Sequence, residues 1–110
     1  MDLDDVPTVV TAWVAAKNAH DVDGQLACFS PAAEVDDEDK VHRGTEQVRA
    51  WIERVTAAYA LTVVPEGWDG DATGGVLTAL VSGDFPGSPL TFRYHLGLDA
   101  DRITNVRTES

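Results

Sequence analysis

Residues 13–44 read WVAAKNAHDVDGQLACFSPAAEVDDEDKVHRG, and they set the architecture expected for the whole chain. A helix carrying Trp13 ends at Asn18-Ala19-His20-Asp21. A short second helix closes on Phe29, with Asp21 as its N-cap and Leu26, Cys28 and Phe29 turned inward, and Ser30-Pro31 stops it. An acidic strand follows over Ala33-Glu34-Val35-Asp36-Asp37-Glu38-Asp39. Side chains alternate along a strand, so Val35 and Asp37 share one face while Glu34, Asp36 and Glu38 take the other. A carboxylate on the same face as a core-type valine makes Asp37 the first candidate for a site.

Upstream, Asp4 or Asp5 caps the first helix ahead of Pro7. Val6, Val10, Trp13, Val14 and Lys17 then form one stripe at helical spacing. Downstream, Lys40-Val41-His42-Arg43 is a partner strand for the acidic one. Gly44-Thr45 opens a third helix with Thr45 as N-cap, and Val48, Trp51, Ile52, Val55 and Tyr59 run along it at helical spacing.

Beyond it, β-branched and aromatic residues alternate with turn signals at Gly67, Gly70, Gly74-Gly75, Pro86-Gly87-Ser88-Pro89 and Asp99-Ala100-Asp101. These divide the second half into strands near 59–68, 75–85, 90–98 and 102–108, joined as an antiparallel meander. Helices first and sheet second indicate an α+β domain spanning 1–110. In 76–81 both alternating sets are largely apolar, which calls for cover on both sides of the sheet. A homodimer through the outer face, covering Leu77, Ala79 and Val81, is the simplest expectation. In the next strand Phe92, Tyr94, Leu96 and Leu98 form the apolar face, and Thr91, Arg93 and His95 the polar one.

The 110 residues carry 19 acidic and 8 basic side chains, a formal net charge of −11. Such a balance repels nucleic-acid phosphates and anionic lipid, and disfavours both as partners. The chain has neither an apolar run near membrane-spanning length nor an N-terminal signal pattern, and it reads as soluble and cytoplasmic. The single cysteine, Cys28, reads as a small buried thiol. Four adjacent acids on a strand diverge to opposite faces, so Asp36, Asp37, Glu38 and Asp39 with His42 do not compose a metal site. No Gly-rich nucleotide loop lies between a strand and a helix, and no cofactor is expected.

Several segments in order resemble one known family: Trp13 through Gly24, then Phe29, Val35-Asp36-Asp37, and His42-Arg43-Gly44-Thr45-Glu46 ahead of Trp51, with Asp99-Ala100-Asp101-Arg102-Ile103 near the end. They are similar to the nuclear transport factor 2-like superfamily, in particular its SnoaL-like and ketosteroid-isomerase-like members. The resemblance implies a cone-shaped, cystatin-like roll in which three helices close over a strongly curved, mostly antiparallel sheet with a pocket between them. It also implies frequent dimerisation through the sheet. The scaffold carries isomerases, dehydratases, cyclases and non-catalytic members, so fold alone does not name a reaction.

By that resemblance Asp37 stands where the ketosteroid-isomerase-like enzymes hold their general base. Enolate chemistry also needs donors aimed at the oxyanion. In ketosteroid isomerase, a worked case in general treatments of catalysis, these are a tyrosine and a protonated aspartate. Trp13 stands at the tyrosine's place here and Tyr94 at the aspartate's, which argues against strict steroid isomerisation. The expected catalytic set is Asp37 and Tyr94, with His42 as a further partner in an Asp–His dyad. The expected ligand-contacting set is Trp13, Phe29, Val35, Trp51, Val55, Tyr59, Phe92 and Leu96, around a small hydrophobic or polyketide-like molecule. The function expected is metal-free isomerase-, cyclase- or dehydratase-type acid–base chemistry; the alternative is a non-catalytic ligand-binding or accessory dimer.

Overall fold

The computed structural model describes residues 3–110, apart from the side chain of Asp4. After a 3₁₀ turn at Leu3–Asp5 come α1 (Thr8–Asn18), α2 (Val22–Leu26), β1 (Phe29–Asp37), β2 (Lys40–Arg43), α3 (Gly44–Tyr59), β3 (Thr62–Asp71), β4 (Gly74–Ser82), β5 (Leu90–Asp99) and β6 (Arg102–Glu109). The six strands form one curved open sheet in the order β2-β1-β6-β5-β4-β3. Every neighbouring pair is antiparallel except β1 with β6. This is the expected α+β architecture. Among the described residues no helix is long and apolar enough to cross a membrane.

The local chemistry explains most of the boundaries, including those that differ from expectation. Pro7 lacks an N–H and disfavours helix in the residue before it, so α1 starts after it, with Pro7 as an N-cap that makes no side-chain bond. Asp5 lies in the 3₁₀ turn, and the side chain of Asp4, the other expected cap, is outside the described residues. Asp21 caps α2 as expected, accepting from the Gly24 N–H at 2.9 Å. That helix ends at Leu26, Cys28 turns behind it, and Phe29 opens β1 instead of closing the helix. Pro31 is tolerated within β1 because the ladder to β6 shifts register between Phe29 and Glu34, where no N–H is required of it.

β1 stops at Asp37. Glu38 and Asp39 both have positive φ, 53° and 63°, and make the two-residue turn into β2, so Glu38 does not stand on the outer strand face with Asp36. Thr45 is not the cap of α3: Arg43 holds that place, and its N–H donates to Gln47 Oε1 at 2.8 Å. Gly67 and Gly70 lie inside β3, Gly67 beside a register shift, and the hairpin to β4 turns at 72–73.

The helices bury Val10, Trp13 and Val14 from α1 and Val48, Trp51 and Ile52 from α3 against one sheet face. From the strands that face supplies Leu77, Ala79, Val81, Tyr94, Leu96, Ile103 and Val106. Leu77, Ala79 and Val81 are fully buried here, so they are inner residues and not the outer patch assigned to them from sequence. The exposed alternates are Leu80 and, opposite it on β3, Val64. The sequence pattern of 76–81 could not orient the strand because both of its faces are apolar. Pairing with β5, whose faces differ clearly, decides it.

Asn18 ties the end of α1 to the start of β3. Its Nδ2 donates to the Val63 carbonyl at 2.9 Å, and its Oδ1 accepts the Val63 N–H at 2.6 Å. His20 Nε2 lies 3.2 Å from the Leu61 carbonyl beside it. Asn18→Ala leaves both backbone groups of Val63 without these partners and is expected to cost about 2 kcal/mol, read as a lowered midpoint in chemical denaturation.

Candidate active site

Asp37 is the last residue of β1, and the inward alternation that buries Val35 completely carries the Asp37 carboxylate to the inner face. There Trp51 Nε1 on α3 donates to Oδ2 at 2.9 Å, and Thr108 Oγ1 on β6 donates to Oδ1. Asp36 turns to the other side of the sheet, in register with Val41 and Arg107. The adjacent acids therefore diverge, and among the described residues no group of three or more His, Cys, Asp or Glu side chains is placed to hold a metal ion.

A cavity of about 580 Å³ opens beside Asp37. Its walls are Lys17 from α1, Trp51, Val55 and Tyr59 from α3, Leu61 before β3, Phe92 and Tyr94 from β5, and Thr108 from β6. Phe85 and Pro86 close it from the β4–β5 loop, which the Asp84 N–H holds to the Tyr59 carbonyl at 2.7 Å. The exposed acids Asp36, Glu38, Asp39 and Glu109 also border it. Tyr59 Oη donates to Glu38 at 3.2 Å, and the Glu38 charge together with this bond raises the phenol's pKa.

Of the expected residues, Asp37, Tyr94, Trp51, Val55, Tyr59 and Phe92 share this cavity. Trp13, Phe29, Val35 and Leu96 do not line it; they are core. Trp13 is fully buried, edge-on to Tyr94 with ring centroids 5.3 Å apart and to Phe29 at 6.2 Å, and its indole N–H has no partner among the described residues. The tyrosine-like position is thus sealed behind Tyr94. His42 makes no hydrogen bond to Asp37: its ring lies against Trp51, 6.3 Å between centroids, and the carboxylate accepts from Trp51 and Thr108 instead. Its Nε2 is buried and unpartnered among the described residues, and burial lowers its pKa, with the Arg54 charge adding to the effect.

The SnoaL-like domain model matches residues 10–105. The chain belongs to the SnoaL-like family. Among solved structures, this SnoaL-like chain is similar to a Sinorhizobium meliloti protein provisionally named a polyketide cyclase, with 28% identity, a TM-score of 0.91, and 99% of this chain and 100% of that one covered. A second protein provisionally named so, from a Silicibacter species, shares 25% identity at a TM-score of 0.77, with 92% and 85% covered. A Catenulispora acidiphila protein with a ketosteroid isomerase-like fold, solved with trimethylamine, shares 20% identity at a TM-score of 0.82, with 96% and 86% covered. The comparison with curated proteins finds no match.

The residue that sequence reasoning passed over is Lys17. It stands four places after Trp13 on the apolar stripe, and a lysine in that position was the available signal. In this SnoaL-like fold the residue is 6% exposed. Its Nζ lies 4.8 Å from the Trp13 ring centre and 5.7 Å from those of Trp51 and Tyr94. It makes no ion pair and no hydrogen bond among the described residues. Burial lowers its pKa to about 8, against an opposing pull from the Asp37 charge. Tyr94 is shifted upward, by burial first and by Asp37 second, and so stays a phenol well above neutral pH.

A lysine more acidic folded than unfolded penalises the folded state while protonated. That penalty is full below pH 8 and is relieved as pH rises toward the ordinary lysine value near 10.5. Lys17→Met, which fills similar volume without charge, is expected to stabilise the protein at pH 7 by about 3 kcal/mol, and the gain is expected to shrink between pH 8 and 10.5. Denaturation midpoints of both proteins across that range check it.

Proposed function

We propose that the chain is an acid–base catalyst acting on a small, largely apolar carbonyl compound, with Asp37 as the base. The observation that carries this reading is the placement of the Asp37 carboxylate, by the Trp51 and Thr108 bonds, on the wall of a cavity that also contains the Tyr94 phenol. Each carboxylate oxygen has a further lone pair to offer a substrate C–H. In the proposed step Asp37 takes a proton from the carbon next to a carbonyl, and the electron pair moves onto the oxygen. Tyr94, still protonated, donates to that enolate oxygen. The step ends with the proton returned at another carbon, or with the enolate carbon bonding to a second carbonyl, as a cyclisation requires. The likeness to two proteins provisionally named polyketide cyclases supports that substrate class.

A second reading, a ligand-binding protein without chemistry, is favoured by one detail: both Asp37 oxygens already accept protein hydrogen bonds, as a polar anchor's would. Deuterium exchange at the acidic carbons of small cyclic ketones and 1,3-diketones, followed by NMR, separates the two. The protein is expected to accelerate exchange, and Asp37→Asn to reduce the acceleration about 100-fold or more. Exchange that survives Asp37→Asn refutes the base assignment, and binding without exchange in the wild type supports the second reading.

We also propose a homodimer through the outer sheet face around Val64 and Leu80, which are 52% and 37% exposed. Light scattering is expected to give twice the chain mass for the wild type and a monomer for Leu80→Glu. A monomeric wild type at high concentration overturns it.

A further inference from the structure

We propose that Lys17 is a covalent anchor of the cavity: its Nζ condenses reversibly with the carbonyl carbon of a small neutral aldehyde or ketone, giving an imine and water. This goes beyond the acid–base reading, because it does not require Asp37 to take a proton from carbon.

Three features of the site converge on it. First, Lys17 is the one charged side chain among the fully described residues that is buried, and no carboxylate there pairs with it. Three aromatic rings surround it where an apolar side chain would fill the same space at no electrostatic cost. Second, it lies on the wall of the same cavity as Asp37 and Tyr94, so amine, carboxylate and phenol border one space. Third, Asp37 on the cavity wall and the exposed Glu38 and Asp39 of the β1–β2 turn at its border outnumber Lys17 there. That field turns anions away and leaves the amine unsuited to serve as a receptor for them. A neutral electrophile is what remains for an amine in apolar walls. Its availability follows from the burial already described: at neutral pH the free-base fraction of Lys17 exceeds that of an ordinary lysine roughly three hundredfold.

The step balances without any oxidant. The Nζ lone pair forms the C–N bond as the carbonyl π pair moves to oxygen. Asp37, whose charge acts on Lys17, relays one amine proton to that oxygen, giving the carbinolamine. The C–O bond then breaks, the second amine proton leaves with the hydroxyl as water, and the C=N bond forms.

The chain has two lysines, and exposed Lys40 in the β1–β2 hairpin is an internal control. Wild-type protein is treated with benzaldehyde and cyanoborohydride at pH 7, where hydride from the reductant fixes each imine as a secondary amine, and the labelled peptides are mapped by mass. Labelling at Lys17 is expected to run at least about tenfold ahead of Lys40 and to disappear in Lys17→Met while Lys40 labelling persists. Labelling that follows exposure, with Lys40 equal to or ahead of Lys17, overturns the proposal. Lys17 labelling without carbon–proton exchange removes the acid–base reading alone, and exchange without Lys17 labelling removes this one alone.

Discussion

The parallel pairing of β1 with β6 is the constraint on which the rest of the structure depends. Every other strand contact is a hairpin or meander between neighbours in sequence, whereas this one joins residues 29–36 to residues 103–107 across most of the chain. It makes one sheet out of the β1–β2 hairpin and the β3–β6 meander. It also brings Thr108 beside Asp37, so the hydrogen bond that fixes one carboxylate oxygen follows directly from the register of the sheet. α3 is tethered at its start by β2 and crosses the same region, which places Trp51 at the other oxygen. Asp37 is thus held by three elements, and its orientation does not depend on a loop.

The interior around the cavity is a balance of opposing terms. Trp13, Trp51 and Tyr94 present ring faces to the Lys17 ammonium, which is favourable, but they also exclude the water that would solvate it. Desolvation outweighs the attraction of the nearby Asp37 charge, as the lowered lysine pKa shows. The same exclusion holds the Tyr94 phenol protonated. Low dielectric thus raises the phenol's hold on its proton and weakens the lysine's, within one group of contacting side chains.

Much of the fold was legible in the residues themselves. Helical spacing located α1 and α3, and turn residues separated the strands of the second half. The inward place of Asp37 followed from its offset of two from Val35, because strand alternation admits no other outcome once the register is right. Less was legible where two signals competed: Ser30-Pro31 is a helix stop by local rule, yet it lies in a strand at a bulge. His42 looked close enough to Asp37 for a dyad, but a sequence separation cannot show that the carboxylate accepts from Trp51 and Thr108 instead.

What the sequence by itself determined is the α+β class, the succession of elements, and the share of Asp37 in the core face, all of which are set by short-range periodicity and turn chemistry. Only the tertiary structure decided which face of β4 is inside, that Trp13 is sealed in the core while Trp51 bonds the carboxylate, and that Lys17 is buried at the cavity. Each of these depends on contacts between residues far apart in the chain. A charged residue on an apolar stripe is solvated or desolvated according to what packs over it, and that is settled by α3 and β5, not by α1 itself.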